Sequence, residues 1–164
     1  MAALKPGMAA PPVSLPAMDG SSFSLLKALS GGPLVLAFFK ISCPVCQFTL
    51  PYLERIYQAH RGKVNIVAVS QNTRNDTAFF TREFGITFPV LLDDTSSYPV
   101  SNAYGLTHVP TLFLISPAGK IELDTVGWSR ADMEQINRRL AESSAAKVAP
   151  LFRPGEDVPA FKSG

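Results

Sequence analysis

Two cysteines that separate an apolar run from an amphipathic run constrain the fold of this chain more than any other feature. Residues 33–39 (Pro-Leu-Val-Leu-Ala-Phe-Phe) are nearly all apolar, which is typical of a strand buried on both faces of a sheet. Cys-Pro-Val-Cys follows at 43–46, and a proline there suits the first turn of a helix. Apolar residues then recur at three- and four-residue steps, as on the buried face of a helix: Leu50, Leu53, Ile56 and Tyr57. The pattern predicts a buried strand that leads into a helix over 43–60, with the cysteines at the junction.

The position of the cysteines predicts redox chemistry. The positive end of a helix dipole favours a thiolate on the first cysteine, Cys43. Cys46 lies one turn further along, within reach of a disulfide. These are the only two cysteines of the chain, and a bridge across two intervening residues closes too short a loop to stabilise the fold much. We therefore predict thiol–disulfide exchange, with Cys43 as the nucleophile and Cys46 as the resolving thiol.

The rest of the chain alternates between strand and helix patterns. Asp19-Gly20 predicts a hairpin before the first buried strand. Further strands are predicted at 64–70, 88–93, 111–115 and 120–126, and further helices at 75–84, 97–104 and 131–142, with Asn75, Asp76 and Ser129 as N-terminal caps. Strand–helix–strand units need right-handed crossovers, whereas the turn at 116–119 joins the last two strands as a hairpin. The sequence thus predicts an α/β fold with a mixed sheet and with Cys43 at the carboxyl end of a central strand.

Composition excludes several classes of protein. Hydrophobic residues make up 46% of the chain and charged residues 17%, which argues against a disordered chain. No apolar run approaches the roughly 20 residues of a transmembrane helix, and the N-terminal residues show no secretory signal. We therefore expect a cytoplasmic protein without membrane contact, or a periplasmic one if a signal peptide has been removed. The net charge of +2 comes without a dense Lys/Arg cluster, so we expect no nucleic-acid partner.

Four segments match the pattern of a known family. The first two are residues 10–16 together with Asp19-Gly20, and the Cys-Pro-Val-Cys helix together with Leu50-Pro51. The other two are residues 82–90, and Val109-Pro110-Thr111, which precedes a strand that Ser-Pro-Ala-Gly-Lys follows at 116–120. Together they resemble the redoxin (AhpC/TSA) branch of the thioredoxin superfamily, and above all its TlpA-like thiol–disulfide oxidoreductases. The resemblance implies a thioredoxin-like three-layer α/β/α sandwich with a mixed central sheet and an N-terminal β-hairpin extension. We divide the chain into an N-terminal arm (1–11), which we expect to be loose, a thioredoxin-like domain (12–143), and a C-terminal tail (144–164) that docks on the domain or stays mobile.

The resemblance also implies a substrate groove beside the cysteines. The proline that matches Pro110 is cis in the family and packs against the sulfurs. Pro44, Val45 and Val109 are expected to border the groove with it. The carbonyl and N–H groups of Val109 are expected to pair with an extended substrate segment by strand addition.

Five positions bear on how the sulfurs are tuned. Many relatives carry a buried carboxylate on the strand before the cysteines, but the matching position here holds Ala37. Ser42 either hydrogen-bonds a thiolate or is a small loop residue, and Lys40 either stabilises the thiolate by its charge or is a solvated lysine. Glu83 either replaces the missing base or is an exposed helix carboxylate. His108 either tunes the sulfurs or ligates a metal with them, but two cysteines and one histidine are a weak ligand set, so we expect no metal.

The predicted function is disulfide exchange with protein or low-molecular-weight thiol substrates, through a redox-active Cys43–Cys46 disulfide, without another cofactor and in a monomer. A thiol peroxidase like the peroxiredoxins is the alternative. Those proteins usually carry the motif Pro-x-x-x-Thr/Ser-x-x-Cys. If Cys46 is the cysteine that reacts with peroxide, the proline and threonine positions of the motif hold Phe39 and Cys43. If Cys43 is that cysteine, the same positions hold Leu36 and Lys40. Neither register fits. A binding or folding module in which the cysteines are incidental is a third hypothesis.

Overall fold

The computed structural model describes residues 4–164 and contains a central five-stranded sheet. The strands of residues 4–164, in chain order, are β1 (Ser14–Pro16), β2 (Ser22–Ser24), β3 (Leu34–Phe39), β4 (Asn65–Ser70), β5 (Val90–Leu92), β6 (Thr111–Ile115), β7 (Ile121–Val126), β8 (Trp128–Ser129) and β9 (Phe161–Lys162). The helices are α1 (Leu25–Leu29), α2 (Pro44–Ala59), α3 (Arg74–Glu83), α4 (Pro99–Ala103) and α5 (Arg130–Ser143). None of these helices within residues 4–164 has the length and apolar character needed to cross a bilayer.

The central sheet is mixed, as predicted, and has the strand order β5-β4-β3-β6-β7. Strands β3, β4 and β5 are parallel, whereas β6 runs antiparallel to both β3 and β7. In the register, Ala37 on β3 lies opposite Ala68 on one side and Leu112 on the other. Every residue of β3 is fully buried (0% exposed), because helices cover both faces of the sheet at its centre. This burial explains the unbroken apolar run that precedes the cysteines.

Two apolar clusters, one on each face of the sheet, give the three-layer arrangement. One cluster packs side chains of α2, α3 and α5 against β3, including Leu53, Phe80 and Leu140. The other packs α1 and α4 against the opposite face, with Leu29 and Val100 among its members. Alternate residues of β3 contribute to alternate clusters, as the two-residue period of a strand requires. The α/β/α sandwich is therefore confirmed.

The helix ends agree with the predictions at α5 but not at α3. The hydroxyl of Ser129 accepts the N–H of Asp132 at 3.2 Å, so the predicted cap of α5 is present. Helix α3 begins one residue earlier than expected, because the hydroxyl of Thr73 accepts the N–H of Asp76 at 3.3 Å. The prediction of Asn75 and Asp76 as caps was wrong. Both lie inside the first turn, where the Asp76 carboxylate faces the positive helix end.

The described part of the N-terminal arm is packed rather than loose. Residues 1–3 lie outside the described part of the chain. Leu4 is 8% exposed and belongs to the cluster under α1 and α4. The N–H of Gly7 donates to the carbonyl of Ile121 at 2.8 Å, and the N–H of Ile121 donates back to Met8 at 2.9 Å. Residues 4–11 therefore run along β7 as part of the fold.

The tail docks on the domain, beside α2 and α5. Leu151 is buried, and the Arg55 guanidinium forms two hydrogen bonds to the carboxylate of Glu156, at 2.7 and 2.6 Å. The indole N–H of Trp128 donates to the carbonyl of Pro159 at 2.8 Å. Strand β9 then pairs with β8 as a two-stranded antiparallel sheet that the sequence did not predict. Of the two outcomes considered for residues 144–164, the structure shows docking.

Candidate active site

The two cysteines lie at the start of α2, directly beyond the end of the central strand. Cys43 is the N-cap residue, and its sulfur accepts the N–H of Cys46 at 3.1 Å. The thiol of Cys43 donates to the carbonyl oxygen of Val109 at 3.5 Å. Both cysteines are free thiols. The Cys43 sulfur therefore sits at the positive end of a 16-residue helix, with a backbone N–H pointed at it and part of its surface open to solvent.

Cys46 has a different environment, although it is only one turn away. It is 0% exposed and packs in the apolar cluster of α2 and α5. Burial in these surroundings raises the pKa of the Cys46 thiol well above its ordinary value, and the hydrogen bond with the Cys43 side chain raises it further. The two thiols are thus unequal: Cys43 is available to an external disulfide, whereas Cys46 is held as a neutral thiol beneath it.

Within residues 4–164, no Asp or Glu side chain forms a hydrogen bond with either thiol. The strand position that carries an acid in many relatives is the fully buried Ala37, in the same cluster as Cys46. Glu83 is exposed at the end of α3. Glu54, on α2, binds the loop before β5, with its two oxygens accepting the Thr87 N–H at 2.8 Å and the Thr87 hydroxyl at 2.6 Å. A proton that leaves Cys46 must go to another acceptor.

The Val109–Pro110 peptide bond is cis, as the resemblance implies. Pro110 is buried, while Val109 is half-buried and presents its carbonyl to the Cys43 sulfur. Within residues 4–164, the N–H of Val109 donates to no backbone carbonyl. The preceding turn is fixed by the hydroxyl of Thr111, which donates to the carbonyl of His108 at 2.7 Å. Val109 therefore keeps a backbone donor for a segment that approaches the nucleophile.

A groove of about 500 Å³ opens beside Cys43. Five of the residues predicted for the site line it: Lys40, Cys43, Pro44, His108 and Val109. The other predicted residues lie elsewhere. Pro110 and Cys46 are buried behind the groove, and Val45 packs on the apolar cluster of α2. Ser42 is exposed and its hydroxyl makes no hydrogen bond to a sulfur within residues 4–164.

The side chains of the predicted tuning residues make no hydrogen bond to the thiols within residues 4–164, although the backbone of Lys40 is hydrogen-bonded to Cys46. His108 is exposed, and its Nδ1 lies 3.1 Å from the hydroxyl of Thr107. Lys40 is also exposed, at the rim of the groove. Residues 4–164 hold no cluster of three or more His, Cys, Asp and Glu side chains that could bind a metal ion. The side chains of Lys40 and His108 are thus basic groups that line the groove rather than side-chain partners of the sulfurs.

The groove residues that were not singled out from the sequence include Gln71, Ser101, Asn102, Leu106, Thr107 and Gly164. Gln71 directly follows β4, so the rule that sites gather at the carboxyl ends of parallel strands predicts its position. Its amide nitrogen donates to the hydroxyl of Ser101 at 3.0 Å, which ties the strand end to α4. Gly164 reaches the groove only because the tail folds back, and no local pattern in the sequence signals this.

Comparison with known proteins agrees with this geometry. The model of the AhpC/TSA family matches residues 6–123. Thiol-disulfide oxidoreductase ResA of Halalkalibacterium halodurans is 30% identical over 122 residues, which cover 73% of this chain and 68% of the relative. A thiol:disulfide interchange protein of the thioredoxin family from Chlorobium tepidum has a TM-score of 0.68 at 26% identity, covering 85% of this chain and 99% of that structure.

A thiol:disulfide interchange protein from a Bacteroides species supports the fold alone, with a TM-score of 0.72, 22% identity, and coverage of 85% of this chain and 92% of that structure. The family match spans the hairpin, the cysteine helix and the cis-proline loop. The chain therefore belongs to the AhpC/TSA family, in the redoxin branch of the thioredoxin superfamily.

Proposed function

We propose that this oxidoreductase exchanges disulfides with thiol or disulfide substrates through Cys43 and Cys46. The observation that carries the proposal is the inequality of the two sulfurs. Cys43 is part-exposed at the helix start and accepts the N–H of Cys46, while Cys46 is fully buried one turn below. The curated relatives are thiol-disulfide oxidoreductases by name, which supports the same reaction class.

The first step is attack on the substrate. The Cys43 thiolate attacks one sulfur of a substrate disulfide, a new S–S bond forms to Cys43, and the other substrate sulfur leaves as a thiolate. The backbone N–H of Cys46 and the positive end of α2 stabilise negative charge on Cys43 before the attack. The N–H of Val109, which donates to no backbone carbonyl within residues 4–164, gives the substrate backbone a donor beside the sulfur.

The second step releases the substrate. Cys46 loses its proton and attacks Cys43, so that a Cys43–Cys46 disulfide forms and the second substrate sulfur leaves as a thiolate. Two electrons have then passed from the protein to the substrate, and an external dithiol reductant restores the two thiols. Because burial raises the pKa of Cys46, this step is the slower one unless a base accepts the proton. The thiolate released in the first step, or water, is the acceptor that we propose.

Insulin reduction in the presence of dithiothreitol tests the proposal. We expect activity in the unaltered protein, none in Cys43→Ser, and an accumulated mixed disulfide with the substrate in Cys46→Ser, detected by mass. Ser42→Ala is the matched control, because Ser42 is exposed next to the nucleophile and its hydroxyl makes no hydrogen bond to the Cys43 sulfur. Activity that survives in Cys43→Ser would contradict the proposal.

The same preparation separates the alternative function. A thiol peroxidase would consume hydrogen peroxide rapidly and leave insulin unreduced. A peroxidase would need a cation such as Arg130 beside the sulfur to activate peroxide. The Arg130 guanidinium instead lies 4.8 Å from the ring centre of Phe152 and pairs with Glu134 at 3.4 Å. It does not line the groove beside Cys43. The geometry therefore favours disulfide exchange over peroxide reduction.

A further inference from the structure

The carbonyl group of Val109 is approached from two sides. On one side it accepts the thiol of Cys43. On the other side it meets Gly164, so closely that a Cβ on Gly164 would overlap the Val109 carbonyl oxygen. Residue 164 of the tail thus lies against the backbone that borders the nucleophile.

The neighbouring backbone is covered in the same way. Gly127 follows β7, and a Cβ added there would overlap the carbonyl oxygen of Lys162. The N–H of Gly127 donates to the carbonyl of Pro110 at 2.8 Å, so this glycine and the cis-proline loop form one surface. Residues 160–164, which we call the strip, bring Lys162 and Gly164 over that surface.

Three contacts hold the strip in place. Strand β9 pairs with β8, with Lys162 opposite Trp128, and the N–H of Arg130 donates to the carbonyl of Ala160 at 3.0 Å. The ammonium of Lys162 lies 5.3 Å from the ring centre of Phe48, within the range of a cation–π contact. Phe161 itself is 61% exposed, so the strip is held through its backbone and through Lys162 rather than by burial of a large side chain.

The groove beside Cys43 stays open, although Val109 and Gly164 line one side of it. The rest of its wall includes Lys40, Gln71, Asn102, Leu106 and His108. Its volume of about 500 Å³ falls within the range of small-molecule sites, roughly 300–1,000 Å³. Exposed Lys40 gives this wall a positive charge, which suits a small disulfide that carries carboxylates.

We propose that residues 160–164 are a specificity-determining strip that occupies the strand position of an extended protein substrate beside Val109. The strip competes with protein disulfides for the backbone of Val109 and leaves the open groove to small acidic disulfides. This inference rests on the disulfide exchange proposed above. It adds that the chain itself competes with protein substrates for the backbone next to its own nucleophile.

Lys162→Pro in the full chain tests the proposal, with Lys162→Ala as the matched control. Proline has no N–H, so Lys162→Pro cannot donate a backbone hydrogen bond from β9 to β8. Lys162→Ala removes the ammonium group and keeps the backbone N–H. Deletion of residues 160–164 removes the strip outright and retains the buried Leu151. Faster amide exchange at Arg130 shows that the strip has lifted, because that N–H is bonded to Ala160.

The readout compares kcat/KM for insulin with kcat/KM for 5,5′-dithiobis(2-nitrobenzoate), a small disulfide with two carboxylates. Loss of the strip should raise the insulin value about tenfold, which corresponds to about 1.4 kcal/mol of competing binding, and should raise the small-disulfide value by a clearly smaller factor. The rise should lie mainly in KM. Lys162→Ala should give a smaller rise, because it removes the cation–π contact alone.

Two outcomes overturn the inference: an insulin value at the wild-type level after deletion of residues 160–164, or an equal rise for both substrates. An unaltered protein that reduces neither disulfide, alone or after the deletion, instead refutes the proposed function. The two failures are therefore distinguishable in one set of assays.

Discussion

Replacement of Glu54 by alanine should destabilise the fold by about 3 kcal/mol while leaving the cysteines in place. Glu54 is 8% exposed on α2, the helix that the cysteines open. Its carboxylate accepts the N–H of Thr87 at 2.8 Å, the hydroxyl of Thr87 at 2.6 Å, the N–H of Phe88 at 3.3 Å and the amide of Gln58 at 2.6 Å. It therefore ties α2 to the loop that enters β5.

The expected loss of stability follows from the N–H donors that Glu54→Ala leaves without an acceptor. The Phe88 N–H is buried and would lose its partner, and the Thr87 N–H is part-buried. An unsatisfied buried donor costs about 1–3 kcal/mol, and a hydrogen bond to a charged group contributes about 1.5–3 kcal/mol. Relief of the carboxylate's own desolvation offsets part of the sum, which leaves about 3 kcal/mol. Against a typical total of roughly 5–15 kcal/mol, this is a large fraction.

Urea unfolding measures the change. With a slope of about 2 kcal/mol per molar, the midpoint should fall by about 1.5 M in Glu54→Ala. Glu54→Gln keeps one acceptor oxygen and should lose about 1–2 kcal/mol. Glu83→Ala is the control, since Glu83 is an exposed helix carboxylate, and should change stability by less than about 0.5 kcal/mol. A loss below about 1 kcal/mol in Glu54→Ala would show that the network does not hold the helix to the loop.

Two further predictions concern the tail and the thiols. A hydrogen bond from the Arg55 guanidinium lowers the pKa of Glu156 from 4.5 to about 2. The carboxylate therefore holds the tail at pH values above about 4.5 and releases it as the pH falls through about 2. The fluorescence of Trp128, the one tryptophan of the chain, should change between these pH values in the unaltered protein and should stay constant between them in Glu156→Gln. Iodoacetamide should modify the folded protein once, at Cys43, and modify Cys46 at least about tenfold more slowly until the protein is unfolded, because Cys46 is buried and its pKa is raised. Mass spectrometry counts the modified thiols, and equal rates at both cysteines would contradict the described burial.

The junction of β3 and α2 could be predicted from the sequence because several local signals agree there. A continuous apolar run marks a strand covered on both faces, a proline marks a first helical turn, and the periodic apolar residues mark the buried helix face. Each signal spans only a few residues and depends on neighbours in the chain. The position of Cys43 at the carboxyl end of a central strand then follows from topology.

Features that depend on distant contacts could not be predicted in this way. Strands β8 and β9 have two residues each, too few for any periodicity, and their pairing depends on the path of the tail. The cap of α3 was misplaced because Thr73, Asn75 and Asp76 are all good capping residues, and only the backbone decides which one caps. The packed arm escaped prediction because its bonds are to Ile121, more than a hundred residues away.

The arm has a consequence for how the molecule behaves at high concentration. Strand β7 is the last strand of the sheet on one side, and the backbone groups of its first residue, Ile121, bond to Gly7 and Met8. On the other side, the N–H of Met18 donates to the carbonyl of Val90 on β5. Unpaired outer strands are templates on which a second molecule can add its own strand and begin to aggregate. The arm and the hairpin therefore occupy the Ile121 end of β7 and the Val90 end of β5, which leaves less unpaired backbone on which a second molecule could add a strand.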